Sequence, residues 1–114
     1  MGTFGQEVKR LRKAKRITQL ELAERIGVDF TYVSKIENDR TLRTPAESTI
    51  RKLADVLGAN QEALILLANK IPQNLQETIV QEPLAVDFLR TVPKFNVNDR
   101  EEIRKIIEKA GRRN

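Results

Sequence analysis

The chain has 114 residues, 39% of them hydrophobic and 32% charged, with a net charge of +5 and a pI near 9.8. That length suits one compact domain, or a small domain with an interaction segment, and the basic balance favours an acidic partner such as nucleic acid. With no cysteine and no histidine, disulfides, thiolate or imidazole metal sites, Ser-His-Asp triads and Cys-His nucleophiles are all excluded.

The first residues, MGTFGQE, contain no apolar signal region, and Gln6 stands where an acylation signal wants Ser or Thr. Residues 3–15 read as a first helix. Thr3 and Gln6 make a capping box, and Phe4, Val8 and Leu11 line one face. Lys9, Arg10, Arg12, Lys13, Lys15 and Arg16 fill the remainder. Cations late in a helix suit the negative end of its dipole, and contact with phosphates is the favoured use for some of them.

Residues 18–38, TQLELAERIGVDFTYVSKIEN, read as two short helices joined by a tight turn. Thr18 and Glu21 form a second capping box, and Leu22, Ala23 and Ile26 make one apolar stripe. Gly27 falls where a helix stops in positive φ, Val28 plugs the corner, and Asp29 caps the next helix. Val33 and Ile36 then face inward, which leaves Phe30, Thr31, Ser34 and Lys35 outward. A helix-turn-helix requires this division.

The loop 39–44 is polar and holds Arg40 and Arg43. Thr44, Pro45 and Glu47 predict a helix start, with Thr as N-cap, Pro first in the helix and Glu completing the box. Ile50, Leu53, Ala54 and Leu57 give its apolar face, and Gly58 ends it. Asn60 caps a fifth helix, apolar nearly all round through Ala63, Leu64, Leu66, Leu67 and Ala68, which predicts burial on more than one side. The apolar run there, residues 63–68, is the chain's longest and far too short to span a membrane. Five short-connected helices predict an all-α domain over residues 1–71.

Composition shifts after Pro72. Residues 74–81 and 84–91 read as short helices separated by Pro83, and Asn98 with Glu101 predicts the box of a last helix reaching about Ala110. Helices this short need a surface for Leu75, Ile79, Leu84, Val86, Phe88, Leu89, Ile103, Ile106 and Ile107. The segment 72–114 either folds back on the first domain or packs on a second copy. The second copy is preferred, which makes the segment a dimerisation or regulatory region.

The ordered set Gln19, Leu22, Ala23, Gly27, Val28, Ser34, Ile36, Glu37 and Asn38 resembles the lambda-repressor/Cro (XRE) family of helix-turn-helix regulators, and the likeness runs from Phe4 to about Lys70. The resemblance implies an all-α fold: a five-helix lambda-repressor-like DNA-binding domain followed by short C-terminal helices. It implies a transcriptional regulator, a dimeric repressor reading a palindromic operator through the major groove. Carried over by position, Phe30, Thr31 and Lys35 reach bases, with Ser34 beside them. Phe30 departs from the polar residue common there, and either packs on a thymine methyl or turns inward. Gln19, Tyr32, Asn38, Arg40 and Arg43 match positions on the sugar-phosphate backbone, and Arg12 with Glu37 match a salt bridge linking the first and third helices. Asp39 replaces a common glycine, which puts a carboxylate near the phosphates. No cofactor, metal or catalytic residue is implied. The expected partners are double-stranded DNA and a second copy, in the bacterial or phage-type cytoplasm at the nucleoid. The alternative is an antitoxin-like or protease-controlled protein whose C-terminal helices bind a toxin or regulatory protease.

Overall fold

The computed structural model describes residues 2–113, and among them every regular element is helical. The helices are α1 (Phe4–Ala14), α2 (Gln19–Ile26), α3 (Phe30–Glu37), α4 (Glu47–Leu57), α5 (Gln61–Leu67), α6 (Gln73–Gln81), α7 (Pro83–Thr91) and α8 (Val97–Gly111). A 3-10 turn, Val92–Lys94, follows α7. The chain divides into two compact units between Gln73 and Asn74.

Local chemistry sets most of the helix ends in the first unit. The Thr3 side chain accepts from the Gln6 N–H while the Thr3 N–H donates to Gln6 Oε1, and Thr18 with Glu21 repeats the arrangement. The Thr18 N–H holds the Glu21 carboxyl below its usual pKa. A lowered folded pKa stabilises at neutral pH, and this contribution goes only as the pH falls through the lowered value. Gly27 (φ 74) and Gly58 (φ 71) close α2 and α4 in the left-handed region, where a side chain would be strained. Asp29 caps α3 and Asn60 caps α5.

The core of this unit is aliphatic. Val8, Leu22, Ile26, Val33, Ile36, Ile50, Leu53, Leu57 and Ile65 are buried, with Phe4, Leu11, Val28 and Tyr32 packed on them from the edge. Each buried side chain of this size contributes about 1.5–3 kcal/mol.

Three expectations are corrected. Helix α4 begins at Glu47, and its N-cap Ala46 makes no side-chain cap. Pro45 is buried, so its ring packs instead of opening the helix, and Thr44 is exposed. The Glu47 carboxylate is committed to Arg51 at 3.0 Å and to the Gln73 N–H at 2.9 Å, so it cannot complete a box at Thr44. Helix α5 buries one side only: Ile65 is fully buried, whereas Ala63 is exposed and Leu66 is 52% exposed. Helix α8 starts two residues early, with Asn96 and Asp99 as its capping box. The edge-on contact of Phe95 with Phe88 and the Arg100 bond to the Val92 carbonyl hold that earlier start.

The second unit holds α7, α8 and most of α6. Leu84, Leu89, Ile106 and Ile107 are at least half exposed. An open cleft of about 760 Å³ runs between these helices, lined chiefly by apolar side chains including Leu75, Ile79, Phe88, Ile103 and Ile106. Among the described residues no helix is long and apolar enough to cross a membrane.

Candidate nucleic-acid interface

Helix α3 divides its faces sharply. Val33, Ile36 and Glu37 are buried, while Thr31 and Lys35 are exposed and Phe30 is 44% exposed. Ser34 is half-buried between the two faces. Part of the Phe30 side chain is therefore open to a partner. No carboxylate pairs with Lys35, Arg40 or Arg43 among the described residues, and all three are exposed.

Glu37 is the hub behind that face. Arg12 of α1 reaches it with both prongs of the guanidinium, Nε to Oε2 at 2.6 Å and Nη2 to Oε1 at 3.1 Å. The pair is shielded, with side-chain exposure of 11% for Arg12 and 1% for Glu37. A third Arg12 nitrogen donates to the Ile17 carbonyl at 2.9 Å. Gln19, the first residue of α2, donates its amide to Glu37 Oε1 at 3.0 Å. One carboxylate therefore joins α1, α2 and α3, with no buried side-chain polar atom left without a partner among the described residues, and charge-assisted bidentate bonds of this kind are the strong ones.

The remaining backbone-contact expectations fall in varied settings. Gln19 is half-buried and keeps its second amide N–H beyond the bond to Glu37. Tyr32 is half-buried, its ring against the core. Asn38 turns its side-chain N–H onto the Ser34 carbonyl at 2.8 Å, capping α3 from within. Arg40 and Arg43 lie in the exposed loop that follows.

Two features were not legible. Asp39 lies in the left-handed region at φ 54, yet its carboxylate does not project freely. It accepts from the Thr3 hydroxyl at 2.6 Å and the Gly5 N–H at 3.0 Å. Gly5 is buried inside α1, and a β-carbon there would lie 2.3 Å from the Ile36 carbonyl oxygen. A glycine within a helical pattern was the available signal, since it costs about 1 kcal/mol against alanine there and a close contact is one reason to keep it.

The arrangement is a buried brace carrying an exposed helical face flanked by unpaired cations. Among the described residues there is no group of acids that could hold a metal ion. A helix-turn-helix family model matches residues 8–60. The chain is 32% identical over 108 residues to an immunity repressor protein of Bacillus phage phi105, a match covering 95% of this chain and 67% of that one. It is 39% identical over 80 residues to the HTH-type transcriptional regulator RghRB of Bacillus subtilis (strain 168), covering 68% of this chain and 57% of the regulator. The chain thus spans between about half and two thirds of these relatives' length. A solved chain from a SinR protein/SinI protein complex shares the fold at 24% identity, with a TM-score of 0.51 over 96% of this chain and 95% of that one.

Proposed function

The chain belongs to the helix-turn-helix family of DNA-binding transcriptional regulators, and from that footing we propose that it is a repressor reading a roughly palindromic operator as a dimer. The observation that carries this is the divided α3: Phe30, Thr31 and Lys35 out, Val33 and Ile36 in. In this reading α3 enters the major groove. Lys35 donates to guanine O6 and N7, the Thr31 hydroxyl bonds either way, and Phe30 packs on a thymine methyl. Ser34 lies at the margin of that face. Gln19, Tyr32, Asn38, Arg40 and Arg43 meet the sugar-phosphate backbone, which sets register rather than sequence. The N-terminal end of α2 supplies a positive dipole end beside Gln19. The protein would work where its DNA is, at the nucleoid.

Lys35→Ala is expected to cost about 1–3 kcal/mol on a preferred duplex and to relax base choice at one position. Competition binding against a random duplex checks this, and an equal loss on both would assign Lys35 to phosphate alone.

The domain organisation proposed is residues 1–71 for DNA and 72–114 for association. The apolar cleft of the second unit supports a second copy as its occupant, because a two-fold pair presents the same patch from both sides. Glu82 and Asp87 line that cleft, while Lys105 and Lys109 are exposed on α8, so facing copies can match acid to base. Ile106→Asp is expected to convert the dimer to monomer and to lower operator affinity about 100-fold, since two half-sites are then bound independently. Selection of bound sites from random duplex DNA, with the protein's mass in solution measured alongside, tests the whole reading. A preference for no duplex over bulk polyanion overturns the regulator; a monomer that still selects a palindrome overturns the dimer. The same cleft favours a second reading, in which a protease or toxin partner docks on 72–114; a monomeric protein whose tail is cut or bound on coexpression with such a partner would select it.

A further inference from the structure

We propose that Asp39 is a positioning residue for DNA recognition, tying the C-terminal end of α3 and the Arg40 that follows it to the first turn of α1. This rests on α3 as the base-reading helix and extends that reading to a residue outside the base-reading set.

The backbone at this point closes α3 in the manner usually reserved for glycine. The Asp39 N–H donates to the Ile36 carbonyl at 3.1 Å and the Arg40 N–H to the Lys35 carbonyl at 2.8 Å, with Asp39 at φ 54. A β-carbon in that conformation is strained, although aspartate bears it better than most residues. The side chain supplies what glycine lacks. Its two oxygens take the Thr3 hydroxyl and the Gly5 N–H, at the end of α1 where N–H groups lack helical partners and the dipole favours an anion.

Two consequences follow for DNA. First, α3 is gripped at two points on α1: Glu37 by Arg12, and Asp39 by Thr3 and Gly5. Arg12 and Gly5 are about 10 Å apart along the helix axis at 1.5 Å per residue. Val33 and Ile36 already pack α3 into the core, and the Asp39 anchor adds a second polar tie that fixes its C-terminal end against α1. Second, the carboxylate is spent on α1 instead of on its neighbour, so Arg40 keeps its charge for a phosphate.

Asp39→Gly separates this role from plain electrostatics because the two predict opposite signs. Losing an acid beside the DNA should tighten binding to every duplex. Losing an anchor should weaken binding to the selected duplex while leaving random duplex unaffected or tighter. The expected result is about a fivefold fall in the ratio of the two affinities, the low end of the cost of one mismatched base pair. Asp39→Asn, which tolerates the backbone and keeps one acceptor, is expected to recover part of the ratio, and it carries the test if the glycine variant does not fold. An unchanged or raised ratio in the folded variants, or an equal loss on both duplexes, overturns the proposal. A wild-type protein without any duplex preference removes the premise instead, which distinguishes the two failures.

Discussion

Glu37→Ala is expected to lower the folding stability of the first unit by about 3–5 kcal/mol, the range for removing one partner of a buried ion pair. The size comes from what is left behind. Arg12 would keep its charge in a site where its side chain is 11% exposed, with only the Ile17 carbonyl as partner. The Gln19 amide would lose its acceptor as well. Tyr32 is the chain's single tyrosine, there is no tryptophan, and Tyr32 packs on this core. Its fluorescence in a urea titration therefore reports this unit alone. A loss under about 1 kcal/mol, typical of exposed pairs, would mean that water reaches the Arg12 guanidinium. The double variant Arg12→Met, Glu37→Leu is expected to regain most of the stability, because well-packed apolar replacements of buried ion pairs are often neutral or better. It should not regain DNA binding if the brace also orients Gln19.

Gly5→Ala is expected to destabilise by about 2–3 kcal/mol, as overpacking does in a tight contact. The sign is the informative part. In an ordinary helix interior the same change stabilises by about 0.5–1 kcal/mol. Here the new methyl would lie 2.3 Å from the Ile36 carbonyl oxygen and 2.6 Å from Asp39 Oδ1. One obstacle is backbone and cannot rotate away, so α1 and α3 must separate. The same urea titration checks it, and a variant more stable than the parent would show that the two helices do not approach this closely. Because the separation breaks the Asp39 anchor, the alanine variant should also lose duplex discrimination in step with Asp39→Gly.

Much of the first unit is readable from neighbours in the chain. Thr3 with Gln6, Thr18 with Glu21, and Gly27 followed by Asp29 each act within about one turn, so their geometry follows from backbone rules that need no distant partner. The spacing of Val33 and Ile36 assigns the inner face of α3 for the same reason. Family resemblance supplied Arg12 opposite Glu37, which spacing could not, because the two are 25 residues apart. The start of α4 misled because Pro45 has two good uses, opening a helix or filling a core, and only the surrounding packing chooses.

Sequence by itself thus determined an all-helical fold, the turn at Gly27 and the outward placing of Phe30, Thr31 and Lys35 on α3, since each depends on torsions and hydrogen bonds between residues a few positions apart, whereas Ser34, expected outward with them, is half-buried. Tertiary structure alone decided where long-range polar groups point. Asp39 reads as a carboxylate near the phosphates until α1 is in place, and then the Gly5 N–H and the Thr3 hydroxyl at that helix end, held near by a missing β-carbon at Gly5, take its two oxygens. Helix α5, expected to be covered on more than one side, buries Leu64 and Ile65 and leaves Leu66 half exposed for a related reason: in a short helix apolar nearly all round, which side is covered depends on the neighbour it meets.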